Sequence, residues 1–140
     1  MEFLNYLKED ALSRKLVEEN YGKNLDFPFR TRFFEGIKFN NEILLSIQAS
    51  GVHNSKPSKT LSDITQYEAF ELGIKCLKIG NFVSLDFATA DKTFSKILRD
   101  YFDGSNYNSV PSDLVEGIFQ KLKTEHGLIE NLSNEEFCNL

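Results

Sequence analysis

The sequence predicts an α+β fold: a small antiparallel sheet of three or four strands, with an N-terminal helix before it and two C-terminal helices after it. Three observations carry this. Residues 42–49 and 66–76 alternate apolar and polar side chains, the period of a half-buried strand. Asn40-Asn41 stands before the first of these runs as a hairpin turn would. Residues 90–102 and 111–127 instead repeat their apolar side chains at i, i+3, i+4 and i+7, the period of a helix. Strands grouped ahead of helices favour a sheet with helices packed on one face.

Taken in order, residues 2–21 read as the first helix, striped by Phe3, Leu4, Leu7, Ala11, Leu12, Leu16 and Val17. The stripe shifts between its halves, which places a bend near residues 10–13. Gly22 ends it, because glycine takes the left-handed conformation cheaply. A connector follows to Pro28, which bars further helix. Over residues 30–39, Phe33, Ile37 and Phe39 share one face; Arg30, Arg32, Phe34 and Lys38 share the other. Asparagine tolerates the positive φ of a two-residue turn, so residues 32–39 pair with 42–49 as a hairpin.

In the second strand Ile43, Leu45, Ile47 and Ala49 alternate with Leu44, Ser46, Gln48 and Ser50. In the third, Phe70, Leu72, Ile74 and Cys76 alternate with Ala69, Glu71, Gly73 and Lys75. Gly80-Asn81 turns the chain into a short fourth strand over 82–85. Phe94, Ile97, Leu98, Tyr101 and Phe102 stripe the next helix, which Asp103-Gly104 stops, and residues 105–110 form a loop. Pro111 opens the last long helix, striped by Leu114, Val115, Ile118, Phe119 and Leu122 up to Gly127. Gly117 within it costs about 1 kcal/mol relative to alanine, a cost that fits the close approach of a neighbour. Ser133-Asn134-Glu135-Glu136 has the form of a capping box for a short final helix.

Length and composition bound the function. One domain over residues 1–140 is expected, 41% hydrophobic and 26% charged. Thirteen Phe against no Trp and one Met put phenylalanine at the centre of the core. The net charge of −5 is uneven: residues 1–61 hold 9 basic and 8 acidic side chains, residues 62–140 hold 7 and 13. This balance argues against direct nucleic-acid binding, which needs a basic footprint. Cys76 and Cys138 are too few for a disulfide framework, and Cys76 reads as a core residue. No apolar run approaches membrane-span length and no signal-peptide pattern opens the chain, so a cytoplasmic protein without membrane contact is expected.

The most irregular interior stretch is residues 50–65, a long loop between strands and the natural place for a site. It holds His53, Ser55, Lys56 and Lys59, which as a set could grip an anion such as a nucleotide ligand. His53 with Ser50 or Ser55, oriented by Asp63, has the composition of a hydrolytic triad, although no Gly-x-Ser-x-Gly elbow occurs. His126 falls in a last helical turn, where an imidazolium suits the helix dipole. Two distant cysteines and two lone histidines leave no zinc site, there is no Gly-rich phosphate cradle, and no cofactor is expected. Arg30, Arg32, Phe34 and Tyr67, extended by Tyr107, would form a partner-binding surface on the solvent side of the sheet.

The order Leu45-Ser46-Ile47-Gln48-Ala49-Ser50, then His53 and Pro57, then Tyr67-Glu68-Ala69-Phe70-Glu71-Leu72-Gly73 is followed by Ser109-Val110-Pro111-Ser112-Asp113-Leu114-Val115 and His126-Gly127. This resembles small phage-encoded accessory proteins of the anti-defence, anti-CRISPR-like type, over about residues 43–127. Asn54 and Ser58 depart from that pattern, standing where an aromatic and an arginine flank the loop. The resemblance implies a non-enzymatic inhibitor in the host cell cytoplasm that binds and blocks a host immune effector protein. The alternatives carried forward are a protein that sequesters a cyclic-nucleotide signal, a hydrolase using His53, and a homodimer formed through exposed sheet edges.

Overall fold

The computed structural model describes residues 1–10, 32–90 and 92–132. Its sheet is wholly antiparallel, with strands β1 (Gly36–Phe39), β2 (Ile43–Gln48), β3 (Ala69–Cys76), β4 (Asn81–Phe82), β5 (Asn106–Pro111) and β6 (Leu128–Leu132). Three α-helices accompany it among the described residues: α1 (Leu85–Ala88), α2 (Thr93–Leu98) and α3 (Ser112–His126). The strand order is β4-β3-β2-β1-β6, and β5 also pairs with β3. The α+β class therefore stands, with more strands than the sequence suggested.

β3 is the axis of the sheet. One edge pairs with β2 along six residues, from Ile43 opposite Cys76 to Gln48 opposite Glu71. The other edge is divided: β5 lies beside Ala69 to Gly73 and β4 beside Lys75 and Cys76. Register then fixes which side chains meet, because cross-strand partners share a face. Ile37, Phe39, Ile43, Leu45, Ile47, Phe70, Leu72 and Ile74 form one apolar face, covered by Val115, Ile118, Phe119 and Leu122 of α3. Phe39 meets Phe119 edge-on at 5.8 Å between ring centroids, and Phe3 meets Phe70 at 5.4 Å. Such aromatic pairs add about 1 kcal/mol each beyond their buried area.

The alternation in β2 and β3 does not mark a half-buried sheet. Leu44, Gln48, Gly73 and Lys75, on the second face, are buried as well. The Phe82 ring lies over Gly73, where a Cβ would stand 3.1 Å from it. Gln48 completes the ladder where β1 departs: its amide accepts from the Phe34 N–H at 2.8 Å and donates to the Phe34 carbonyl at 2.9 Å. The chain upstream of β1 has turned to a different partner there. Asp10 donates to Phe33 O, and Glu35 donates to Lys8 O.

That pairing corrects the first element. Glu2–Tyr6 is a 3-10 helix rather than the start of a long α-helix, and residues 8–10 run extended beside 33–35. The backbone N–H groups of Glu2 and Phe3, which an isolated helix start leaves unpaired, donate to the Glu116 carboxylate of α3 at 2.8 and 3.1 Å. Residues 11–31, with the expected Gly22 stop and Pro28, lie outside the described residues, as does the final helix expected from Ser133.

The expected hairpin is present with a different turn. Phe39 pairs with Ile43, so three residues rather than two connect the strands, and Asn40 takes the positive φ of 53°. The fourth strand is only Asn81–Phe82, with α1 in place of its second half. The helix expected over 90–102 is α2 followed by a 3-10 turn at Arg99–Tyr101. Residues 105–110, read as a loop, are mostly β5. An extra residue relative to β3 spaces its two buried side chains, Tyr107 and Val110, three apart opposite Leu72 and Phe70. That bulge removes the period of two by which a strand is recognised. β6 was not anticipated at all.

Gly117 does admit a close neighbour. A Cβ there would lie 2.6 Å from Cε1 and Cζ of Phe94 on α2. Gly117→Ala should therefore destabilise the fold by about 1–3 kcal/mol through overpacking. In a Phe94→Ala background the same substitution should stabilise by up to about 1 kcal/mol through helix propensity. Denaturant midpoints of the four proteins test the reversal of sign.

Candidate functional site

The loop between β2 and β3 is an internally bonded structure rather than a solvated connector. Arg32, just upstream of β1, reaches into it with both terminal nitrogens. Nη2 donates to Ala49 O at 2.8 Å and to Tyr67 Oη at 2.9 Å, and Nη1 donates to Leu61 O. The guanidinium also stacks 4.6 Å from the Phe34 ring centroid, the geometry of a cation–π contact. Tyr67 Oη in turn accepts from Leu61 N–H at 2.7 Å and donates to Lys59 O at 2.5 Å. A second seam joins the loop to the sheet: Lys56 N–H donates to Ala69 O, and Glu68 N–H donates to Lys56 O. A third runs to β5, where Ser109 N–H donates to Asn54 O at 2.8 Å. Lys56-Pro57 is a cis peptide within this framework.

These bonds decide the placement of the candidate partner-binding residues. Arg32, Phe34, Tyr67 and Tyr107 are buried, so they do not form a solvent-facing surface. The two terminal nitrogens of Arg32 and the Tyr67 hydroxyl bond mainly to backbone groups, the buried Arg32 Nε has no partner among the described residues, and Tyr107 Oη accepts from Leu85 N–H at 2.8 Å. Strand alternation misassigned the first three because none of them lies within a sheet strand. Arg30 is outside the described residues.

The candidate ligand set divides in the same way. His53 and Ser55 are buried while Lys56 and Lys59 are exposed, so imidazole and hydroxyl point inward and the two ammonium groups outward. Ser55 Oγ donates to Pro57 O at 3.0 Å. His53 Nδ1 and Ser50 Oγ are 2.6 Å apart, a separation that fits a base and its nucleophile. Ser50 is 0% exposed and His53 9%, however, and Asp63 accepts from Thr65 N–H and Oγ1 instead of orienting the ring. Burial, followed by the Arg32 charge, lowers the His53 pKa to about 4. A neutral ring packed edge-on against Phe33 at 4.9 Å is the result near neutral pH.

Beside this loop, Asn54 Nδ2 donates to Glu71 at 3.2 Å and to Asn108 Oδ1 at 3.1 Å, and Asn108 Nδ2 donates to Asp103 at 3.2 Å. Burial raises the Glu71 pKa, with the Asp103 charge adding to it. The Asn106 and Ser105 N–H groups hold Asp103 down to about 2. Among the described residues no group of three or more His, Cys, Asp or Glu side chains is placed to hold a metal ion, and no helix is long and apolar enough to cross a membrane.

The surface that sequence reasoning missed lies at the opposite end of β3. Ile79, Phe82 and Phe87 fall within residues 79–87 and are 54%, 46% and 61% exposed. Phe87 borders an open cleft of about 630 Å³ lined also by Glu42, Asp86, Thr89, Lys92, Glu125 and His126. The available signal was Ile79 and Phe82 flanking the Gly80-Asn81 turn, where polar residues are usual. Comparison of the chain with protein-family models, curated proteins and solved structures gives no match.

Two outcomes test the loop. Tyr67→Phe leaves the Leu61 N–H and Lys59 carbonyl without their partner, so it should cost about 1–3 kcal/mol and speed proteolysis within residues 50–65. For His53, the folded pKa lies below the unfolded one, so the unfolded chain binds more protons between them. Stability should be highest above about pH 6.5 and fall by up to about 3 kcal/mol towards pH 4. Denaturant titrations across that range should show this slope lessened in His53→Gln.

Proposed function

We propose that this chain is a non-enzymatic, phage-type inhibitor that binds a bacterial immune effector and blocks it by protein–protein contact, in the manner of anti-CRISPR proteins. The observation that carries the reading is the run of exposed large apolar side chains Ile79, Phe82 and Phe87 within nine residues, with Phe87 at the rim of the cleft. Exposed aromatic residues next to a concavity are the usual anchors of protein recognition. The reacting groups a catalyst would need, His53 and Ser50, are instead enclosed in the loop. The overall charge of −5, concentrated in residues 62–140 with 13 acidic and 7 basic side chains, favours a basic partner surface, such as the nucleic-acid channel of an effector. The action would take place in the host cytoplasm.

The test is phage plating on bacteria that carry active CRISPR immunity, with and without this protein, across several effector types. The wild-type chain should restore plating of a targeted phage against at least one. Ile79→Asp combined with Phe87→Asp should lose that effect while keeping the wild-type circular dichroism and melting temperature. Affinity for the purified effector should weaken about tenfold or more between low and high salt. Unchanged plating against every effector, with no complex formed by the purified proteins, would overturn the reading. A concentration-dependent dimer would instead assign the apolar cluster to a second copy.

A further inference from the structure

His126 ends α3 with its ring turned away from that helix's own carbonyls. Nδ1 lies 2.9 Å from Glu42 Oε2, in the turn between β1 and β2. Nε2 lies 2.6 Å from the carbonyl oxygen of Ala88, the last residue of α1. One ring thus joins three elements that are distant in sequence. Both neighbours are oxygens that only accept: a carbonyl always, and a carboxylate whenever ionised. A neutral imidazole has one N–H and one lone pair, so it can serve only one of them. The other contact then sets lone pair against oxygen at hydrogen-bond distance. Only the imidazolium donates to both.

We propose that His126 is a pH-sensitive clasp on α1, closed when the ring is protonated and loosened at Ala88 when the proton leaves, because the remaining N–H goes to the charged Glu42 carboxylate. Other charged groups around the cleft do not duplicate this behaviour. Glu125, also on α3, accepts from Thr89 Oγ1 at 2.6 Å and from Ala90 N–H at 3.1 Å. Lys92 donates to Asp86 O at 2.6 Å and to Thr89 O at 3.2 Å, and its ammonium stands 3.9 Å from the Asp86 carboxylate. These hold residues 86–90 through a carboxylate and an ammonium group, neither of which is an imidazole. His126 is the one imidazole that lines the cleft, and imidazole is the side chain that gains or loses its charge by small environmental changes. The four-residue α1 is too short to persist by its own backbone bonds, so its position depends on such side-chain ties. The proposal stands whether or not the nearby apolar cluster binds an effector.

The sign follows from the bonding. The clasp contributes fully while the ring carries both protons, and its contribution is lost as rising pH removes one of them. Amide exchange of Phe87, Ala88 and Thr89, corrected for the intrinsic effect of pH, reads this directly at about pH 5.5 and about pH 8.5, either side of the ordinary imidazole range. The wild-type chain should lose about tenfold in protection at the higher pH, the worth of one charge-assisted bond. Glu42→Gln is the decisive variant. Its amide can turn to donate to a neutral Nδ1 while Nε2–H still donates to Ala88 O, so protection should become independent of pH. His126→Ala should give low protection at both values. Equal protection of the wild-type chain at both pH values, or the same pH response in Glu42→Gln as in wild type, would overturn the proposal.

Discussion

The backbone pairing of β3 is the constraint on which the rest of the structure depends. Its N–H and C=O groups have no water to turn to, because both faces of the strand are covered and both edges are occupied. Three separate stretches of chain must therefore arrive in register: β2 on one edge, β5 and β4 sharing the other. Once they do, Phe70, Leu72 and Ile74 are committed to the face that α3 covers, and Gly73 to the face on which the Phe82 ring rests. The long loop is a consequence of the same arrangement. Its Lys56 backbone adds a further bridge at Ala69, where β3 begins.

The loop also shows how polar composition can mislead about function. Residues 50–65 carry the histidine, serines and lysines of a catalytic or anion-binding set. Arg32 and Tyr67 use the Leu61 and Lys59 carbonyls of that loop to satisfy their own donors, while the guanidinium stacks on Phe34, outside the loop. A buried polar network of this kind is stable only when nearly every member has a partner. The hydroxyls and imidazole that look reactive in sequence bond within the loop itself, Ser50 with His53 and Ser55 with the Pro57 carbonyl. Chemistry that could reach a partner lies elsewhere, where the chain turns over after β3 and leaves apolar side chains in solvent.

Much of the fold was legible because its elements obey simple periods. The β1–β2 hairpin, β3 and α3 each carry an unbroken repeat, and the cost of Gly117 pointed correctly to a close neighbour. Where the period fails, so did the reading. The bulge in β5 spaces Tyr107 and Val110 like neither strand nor loop, and α1 is too short to display a helical repeat. The N-terminal stripe of Phe3, Leu4 and Leu7 is real apolar burial, but its geometry is set by Glu116 and by residues 33–35 rather than by local propensity. Arg32, Phe34 and Tyr67 were assigned to an exposed face by counting alternately along strands that in fact begin later. The clasp at His126 could not be read at all, since Glu42 and Ala88 meet it only through tertiary structure.

The pairing of β1 with β6 bears on how the chain is made. β1 lies inside the sheet, but the strand on its outer side comes from residues 128–132, long after β1 and β2 have left the ribosome. Glu116, which holds the N–H groups of Glu2 and Phe3, is likewise a late arrival. During synthesis a hairpin therefore exists with one edge bare and the Phe3 ring without its seat. Such an edge is a template for strands of other chains. The cell must carry this nascent chain through that interval, and any delay in translation between the codons for β2 and β6 lengthens its exposure.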